Sequence, residues 1–384
     1  MFRAGADLCV LTARLSHLSN TRLDLKHGTL HLPVFLPDAT RAIVRGVESA
    51  DLERCAVTGL VMSTFHLMQH PGSSVVAGHG GLHSFAGWDK PIITDSGGFQ
   101  VYSLVRQNPK YGTLNEKGMV YRADDGTKYN LTPEKSIQLQ MSYGGDVVYV
   151  LDDCTHADAD AETQADAVRR TIKWAKRCRE VFDELVIGKR MDETTRPRLF
   201  GVVQGGNIPE LRRECAEALL AIGFDGYGFG GYPLDGEHNL LVEMFDVVRR
   251  AIPAHYPIHA LGVGHPANVV ACHALGYTIF DSALPTRDAR RGRLYRMTGD
   301  PTRGGDDWYK FIYLEDDKHT RTTTPIDESC DCVACTRYSI AYLHHLHAIE
   351  DAAYVRLATM HNLRFMTRLM DALRGVVPEG LHNG

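Results

Sequence analysis

The chain of 384 residues has no apolar run approaching the roughly 18–20 residues that a membrane span requires, which predicts a soluble protein. Its first 15 residues set Arg3, Asp7 and Arg14 among short apolar pieces, so no secretory signal is expected and a cytoplasmic location follows. No internal repeat or low-complexity tract is present. Positive charge is not in excess either: 42 Lys and Arg against 47 Asp and Glu leave a net charge of -5, so any contact with nucleic acid must use a local basic surface. A disulfide framework is missing as well, because the nine cysteines are odd in number and scattered. Cys9, Cys55, Cys178, Cys215 and Cys272 stand alone and are expected to be buried as small apolar residues.

What is present suits one large α/β fold. Apolar residues make up 44% and charged residues 23%, close to globular averages. Short apolar runs at 58–62, 91–94, 147–151, 199–203, 224–229, 258–263 and 277–280 read as buried strands. Between them, 161–187, 238–251 and 266–275 carry helical periodicity. A further helix is predicted after Asn207, as its cap, with Pro209 in the first turn and Gly223 beyond its end. This strand-then-helix rhythm predicts a (β/α)8 TIM barrel over about 20–296. After Arg296 the rhythm gives way to a polar stretch, 298–328, then a cysteine cluster and two helical segments between about 336 and 373. The expected organisation is a single unit, 1–384, with a zinc-binding subdomain at about 298–365.

Cys330-x-Cys332-x-x-Cys335 supplies three soft ligands within six residues, and a structural Zn²⁺ site needs a fourth. His344, His345, His347 and His361 are candidates that spacing alone does not separate. Three cysteines and a histidine would leave no open coordination position, so the metal is expected to hold the fold together and not to do chemistry.

Barrel active sites lie where strands end. Asp95-Ser96-Gly97-Gly98, Asp152-Asp153, Gln204-Gly205-Gly206, Gly230-Gly231 and Asp281 all follow predicted strands. Two carboxylates at one barrel mouth, Asp281 and Asp95, suit a retaining displacement at an anomeric carbon, one as nucleophile and the other moving protons. The small residues behind Asp95 admit a planar ligand, and Phe99 is placed to stack on it. Arg287, Arg290, Arg291, Arg293 and Arg296 concentrate positive charge beyond Asp281, where phosphates are the natural partner. A second basic run, Arg169 to Arg179, reads as a solvated helix face.

These residues resemble a known family. Asp95-Ser96-Gly97-Gly98-Phe99-Gln100-Val101, Gly201-Val202-Val203-Gln204-Gly205, Gly262-Val263-Gly264 and Phe280-Asp281-x-x-Leu284-Pro285-Thr286-Arg287 are similar, in order and spacing, to the motifs of the tRNA-guanine transglycosylases. The similarity runs from about 29 to 365. Its closing motif, the three cysteines with His361-Asn362-Leu363, implies His361 as the fourth zinc ligand.

The resemblance implies that Asp281 attacks C1′ of the target nucleoside as guanine leaves, with Asp95 as general acid and base. It further implies that Asp152, Gln204 and the backbone of Gly231 read the edge of the base, in a pocket that includes Ser96, Gly97, Gly98 and Tyr232. Phe99 and Leu261 would sandwich the ring. Gly262, Val263, Gly264, His265, Pro266, Ala267 and Asn268, with Thr286, Arg287, Asp288, Ala289 and Arg290, fall where the family touches tRNA near the wobble position. The expected activity is replacement of the wobble guanine by a 7-deazaguanine, in a homodimer. Cys154 is similar to the residue of bacterial members, which insert preQ1; eukaryotic members, which insert queuine, tend to have valine. The segment 230–237 is one residue longer than usual, 37–40 and 64–67 vary from the usual wording, and 290–293 is more basic. No extra carboxyl-terminal RNA-binding domain is expected, unlike the archaeal branch. Against this stand a non-catalytic RNA-binding subunit, a zinc hydrolase of a small nucleobase or sugar, and guanine exchange in DNA.

Overall fold

A strand buried on both faces can form only where apolar residues run without alternation, and eight such segments build the centre of the molecule. The computed structural model describes residues 21–376 apart from 107, 108, 124, 304 and 306; Cys9 and the amino-terminal stretch without a signal lie outside them. The strands are β1 (Val34–Pro37), β2 (Leu60–Met62), β3 (Ile92–Thr94), β4 (Val147–Tyr149), β5 (Arg198–Val203), β6 (Gly226–Phe229), β7 (Ile258–Ala260) and β8 (Ile279–Ser282). They pair in the order β1-β8-β7-β6-β5-β4-β3-β2, all parallel. The ring closes where Asp38 bridges Val61 and the Ala39 N–H donates to the Val61 carbonyl at 2.7 Å.

The barrel is thus the expected one, but sequence patterning located only seven of its strands. It missed β1, whose four residues follow Pro33 and end in Pro37, because proline on both sides interrupts the apolar run. Observed strands are also shorter than the apolar runs. Val150, Leu151 and Tyr277 remain completely buried beyond the ladders, so burial extends further than strand pairing.

Helices cover the barrel: α1 (Pro133–Tyr143), α2 (Ala161–Gly188), α3 (Pro209–Ile222), α4 (Val242–Ala251), α5 (Pro266–Ala274) and α6 (Leu284–Arg290). The Asp160 carboxylate caps α2 by accepting the Thr163 N–H at 2.8 Å. Asn207 does not cap α3. Ile208 occupies that boundary without a side-chain bond, and Pro209 alone supplies the start signal. The helix expected from residue 238 begins at Val242, because Asp235 accepts the N–H groups of Glu237 and Asn239 and holds the preceding residues in a loop.

Two further corrections concern segments of weak pattern. Gly112–Asn115, Gly118–Arg122 and Lys128–Leu131 form an antiparallel sheet between β3 and α1, and Tyr309–Tyr313, inside the supposed polar stretch, pairs with Arg293–Met297. The basic face of α2 is also less free than expected. Arg170 is paired with the buried Asp153, Arg177 with Glu134, and Lys173 with Glu116.

After the hairpin come α7 (Val333–Arg337), α8 (Ile340–Ala348) and α9 (Ala352–Leu373). α9 joins two cores. Tyr354, Leu357 and Ala358 pack in a small cluster with Leu294, Ile326 and Leu343, whereas Leu363, Met366 and Leu369 pack into the barrel's own core. Between them, Asn362 accepts the Tyr295 N–H at 3.1 Å and donates to the carbonyls of Pro285 and Arg293, pinning α9 to the segment that follows β8. No helix among the described residues is long and apolar enough to cross a membrane.

Candidate active site and metal centre

The strand ends open into a cavity of about 580 Å³. Asp95 follows β3 directly, where its Oδ1 accepts the Thr64 N–H at 2.8 Å and its backbone carbonyl accepts the Thr64 hydroxyl at 2.6 Å. Burial pushes its carboxyl up to about 7, against the Thr64 N–H and the Ser63 and Gln100 side chains, and the nearby Asp38 adds to the rise.

Asp152, beyond β4, is the centre of a polar floor. Its Oδ1 accepts the Ser96 hydroxyl at 2.8 Å and its Oδ2 the Gln204 amide at 2.6 Å. Burial raises it to about 6, with both bonds opposing. Gly98 is required here, since a Cβ at that position would stand 2.1 Å from Asp152 Oδ1. Gln204 is fully buried and does not itself line the cavity; its Oε1 has no partner, and a Cβ on Gly231 would lie 3.2 Å from it, so an unmet acceptor sits just behind the Gly231 backbone.

Asp281 stands on β8, with its Oδ1 accepting the Gly262 N–H at 2.8 Å. His259 Nε2 is 2.9 Å from the same oxygen, although it lacks the alignment of a hydrogen bond. His259 is fully buried, and its Nδ1 is 2.7 Å from the Tyr149 hydroxyl. Burial and the charge of Asp281 keep that phenol protonated far above its ordinary range. Held in this way at Oδ1, Asp281 has its Oδ2 free of protein donors among the described residues.

Most of the residues read from sequence meet in the cavity: Asp95, Ser96, Gly98, Phe99, Asp152, Gly231, Tyr232, Leu261, Asp281 and the 262–265 loop line it, with Asn268 and Arg287. Phe99, 51% exposed, shares the rim with Tyr232 at a ring separation of 6.5 Å. Gly97 turns the chain at a φ of +88° and packs on Leu131, so its contribution is conformational. Pro266 is buried in the first turn of α5, and Ala267 is half-buried outside the lining. The side chains of Thr286, Asp288 and Ala289, expected at the RNA, are buried in α6. Asp288 is committed to the Tyr295 hydroxyl and to Arg293, and Arg290 is half-buried, so Arg287 is the exposed cation of that segment.

Sequence reading gave no site role to Asp38 or His66, which it noted only within the variant segments 37–40 and 64–67, and missed Tyr149, His259 and Arg212. Asp38 carries the same signal as Asp95, a carboxylate after an apolar strand, but its strand went unrecognised. His259, a polar residue inside an apolar run, was a readable signal. Arg212 lies on α3, completely buried, and donates to the carbonyls of Val203, Gly206 and Gly230, tying the loops after β5 and β6 from beneath.

The cysteine cluster closes on His361. Its Nδ1 lies 3.9, 3.5 and 3.3 Å from the sulfurs of Cys330, Cys332 and Cys335, and all four residues are buried. His361 Nε2 donates to the Tyr295 carbonyl at 2.6 Å, which leaves the Nδ1 lone pair facing the thiols. His344 is instead bonded to the Leu314 carbonyl, and His345 is exposed. A buried group of three thiolates and one imidazole can hold a metal ion and fits a zinc site. None of the four lines the cavity.

Reacting groups on the loops that follow the strands of a parallel barrel are the mark of the α/β-barrel enzymes. The sequence profile of the family described as Queuine tRNA-ribosyltransferase matches residues 11–382, nearly the whole chain. The Queuine tRNA-ribosyltransferase of Halothermothrix orenii is 36% identical over 359 residues, 93% of this chain and 90% of that protein. Those of Aromatoleum aromaticum (38% over 360 residues; 94% and 91%) and Thermotoga petrophila (37% over 359 residues; 93% and 90%) are similarly related. The chain belongs to this family, the tRNA-guanine transglycosylases, and is a transferase enzyme.

Proposed function

We propose that the protein exchanges the wobble guanine of a tRNA anticodon for a 7-deazaguanine through a covalent bond between Asp281 and ribose. The observation that carries this reading is the presence of Asp95 and Asp281 in one cavity, above a floor of Asp152 and Gln204 shaped for the edge of a planar base. Asp281 attacks C1′ through Oδ2 as the C1′–N9 bond breaks. Asp95 provides the proton that guanine takes up on leaving. The incoming base then gives its N9 proton to Asp95 and displaces Asp281, and two inversions return the original configuration. A carboxyl raised to about 7 holds both protonation states near neutral pH, as this double duty requires.

Asp152, Gln204 and the Gly231 backbone read the base, and a competitor lacking the matching groups leaves them unpaired in a buried site. Phe99 and Leu261 cover its faces. The 262–265 loop, Asn268 in the first turn of α5 and the exposed Arg287 meet the RNA, whose target base leaves its stack more readily in an anticodon loop than in a duplex. The preferred incoming base is preQ1, with queuine second. Zn²⁺ on Cys330, Cys332, Cys335 and His361 holds the hairpin and α9 together. The enzyme acts in the cytoplasm as a homodimer.

Incubation with an anticodon stem-loop and labelled guanine tests this reading. Label is expected in the RNA, and preQ1 is expected to compete better than queuine. A zinc-loaded protein that incorporates nothing would instead be a non-catalytic subunit or act on another polymer.

A further inference from the structure

Asp38 is a third carboxylate in the cavity, and the exchange reaction as derived above gives it no task. It follows β1 at the seam where the barrel closes. Leu36 pairs with Asp281 and Pro37 with Ser282 across the β1–β8 ladder, and Asp38 itself bridges Val61 on the other side. It therefore stands between the end of β8, which carries Asp281, and the strands that lead to Asp95. The three charges feel one another: Asp281 raises Asp38, and Asp38 raises Asp95. The Thr40 hydroxyl lies 2.6 and 2.7 Å from the two Asp38 oxygens, and among the described residues no cationic nitrogen is within ion-pair distance. A half-buried carboxylate beside two others, with one hydroxyl for company, has acceptor capacity to spare.

The chemistry of a polynucleotide narrows what can fill that capacity. At an internal nucleotide the 3′ and 5′ oxygens are esterified, so the 2′-hydroxyl is the one sugar donor. When Asp281 is bonded to C1′, the 2′ carbon is one bond away. Its hydroxyl then meets the cavity wall next to Asp281, where Asp38 stands. The same side of the cavity carries His66, whose Nδ1 is buried without a partner, a second sign of a wall built for a polar ligand. A hydrogen bond from the 2′-hydroxyl to a carboxylate strengthens as positive charge develops on the sugar, so it acts on the transition state.

We propose that Asp38 accepts the 2′-hydroxyl of the nucleotide whose base is exchanged, and is the residue by which the site selects ribose over deoxyribose. The inference rests on the reading of Asp281 as the nucleophile at C1′.

The test compares wild type, Asp38→Asn and Asp38→Ala on two stem-loops that differ only in guanosine or 2′-deoxyguanosine at the target position. The intrinsic difference in lability of the two sugars cancels when preferences are compared between proteins. Wild type is expected to favour ribose, and Asp38→Ala to lower that preference by about tenfold or more, chiefly through kcat on the ribose substrate. Asp38→Asn keeps one acceptor and is expected to fall between them, and it carries the test if the alanine variant does not fold. An unchanged preference in the variants, with both substrates slowed equally, would overturn the proposal and reduce Asp38 to a charge that tunes Asp95. A wild-type protein inactive on the ribose stem-loop would fail at the earlier step, the exchange reaction itself.

Discussion

Burial pushes the Asp95 carboxyl up to about 7, well above an unperturbed aspartate, and this has a thermodynamic counterpart. Between pH 4 and 7 the folded protein keeps a proton that the unfolded chain has released. The stability associated with that proton is complete below about 3.8 and is lost as pH rises through about 7. Asp95→Asn has no proton to release, so it is expected to melt about 2–5 °C above wild type at pH 8 and level with it at pH 4. Equal differences at both pH values would show that Asp95 is not held neutral by burial. At this scale the sequence was informative wherever a polar residue directly followed an apolar run, as with Asp95, Asp152 and Asp281. It marked Asp38 only as part of a departure from the family's wording at 37–40 and gave it no task, its strand being framed by prolines, and it was silent on the unmet acceptor of Gln204, which depends on packing between loops far apart in the chain.

The loops proposed to read the base are linked to one another, as by Gln204 and Asp152, and are also held from beneath by a helix. Arg212 of α3 donates through Nε and Nη1 to three carbonyls at the end of β5 and in the loops after β5 and β6, and stacks 4.0 Å over Phe229. No acidic group pairs with it among the described residues, and burial lowers it to about 10, so it remains charged at neutral pH. Arg212→Met leaves those carbonyls unmet at about 1 kcal/mol or more each. The expected result is a Tm lower by about 4 °C or more and a KM for guanine raised about tenfold with a smaller change in kcat. A change in kcat alone would mean that the loops do not depend on this support. Helices with a clear period and a proline start, such as α3 and α5, were legible from sequence. The antiparallel sheet after β3 and the strand at Tyr309–Tyr313 were not, since short strands on a domain surface owe their form to the neighbour they pair with.

Over the whole molecule, α9 couples the barrel to the cysteine cluster, for His361 and Asn362 sit on it between the two apolar cores. Removing the metal is therefore expected to unfold the segment around 298–365 and lower Tm by about 10 °C or more. Protein still folded after mild chelation should retain exchange, and full activity should return with one Zn²⁺ per chain. Immediate loss of kcat with no change in Tm would indicate a catalytic metal. The barrel was readable from the rhythm of its strands, and the cluster from cysteine spacing, but the choice of His361 over its three rivals needed the family resemblance and then the path of α9. The central claim is the covalent step. Wild type, incubated with a labelled anticodon stem-loop and run on a denaturing protein gel, is expected to carry RNA on the protein band, Asp95→Asn to accumulate it far more slowly for want of the departing guanine's proton, and Asp281→Asn to carry none. An adduct that survives in Asp281→Asn, or exchange by wild type with no adduct on rapid quenching, would contradict the account.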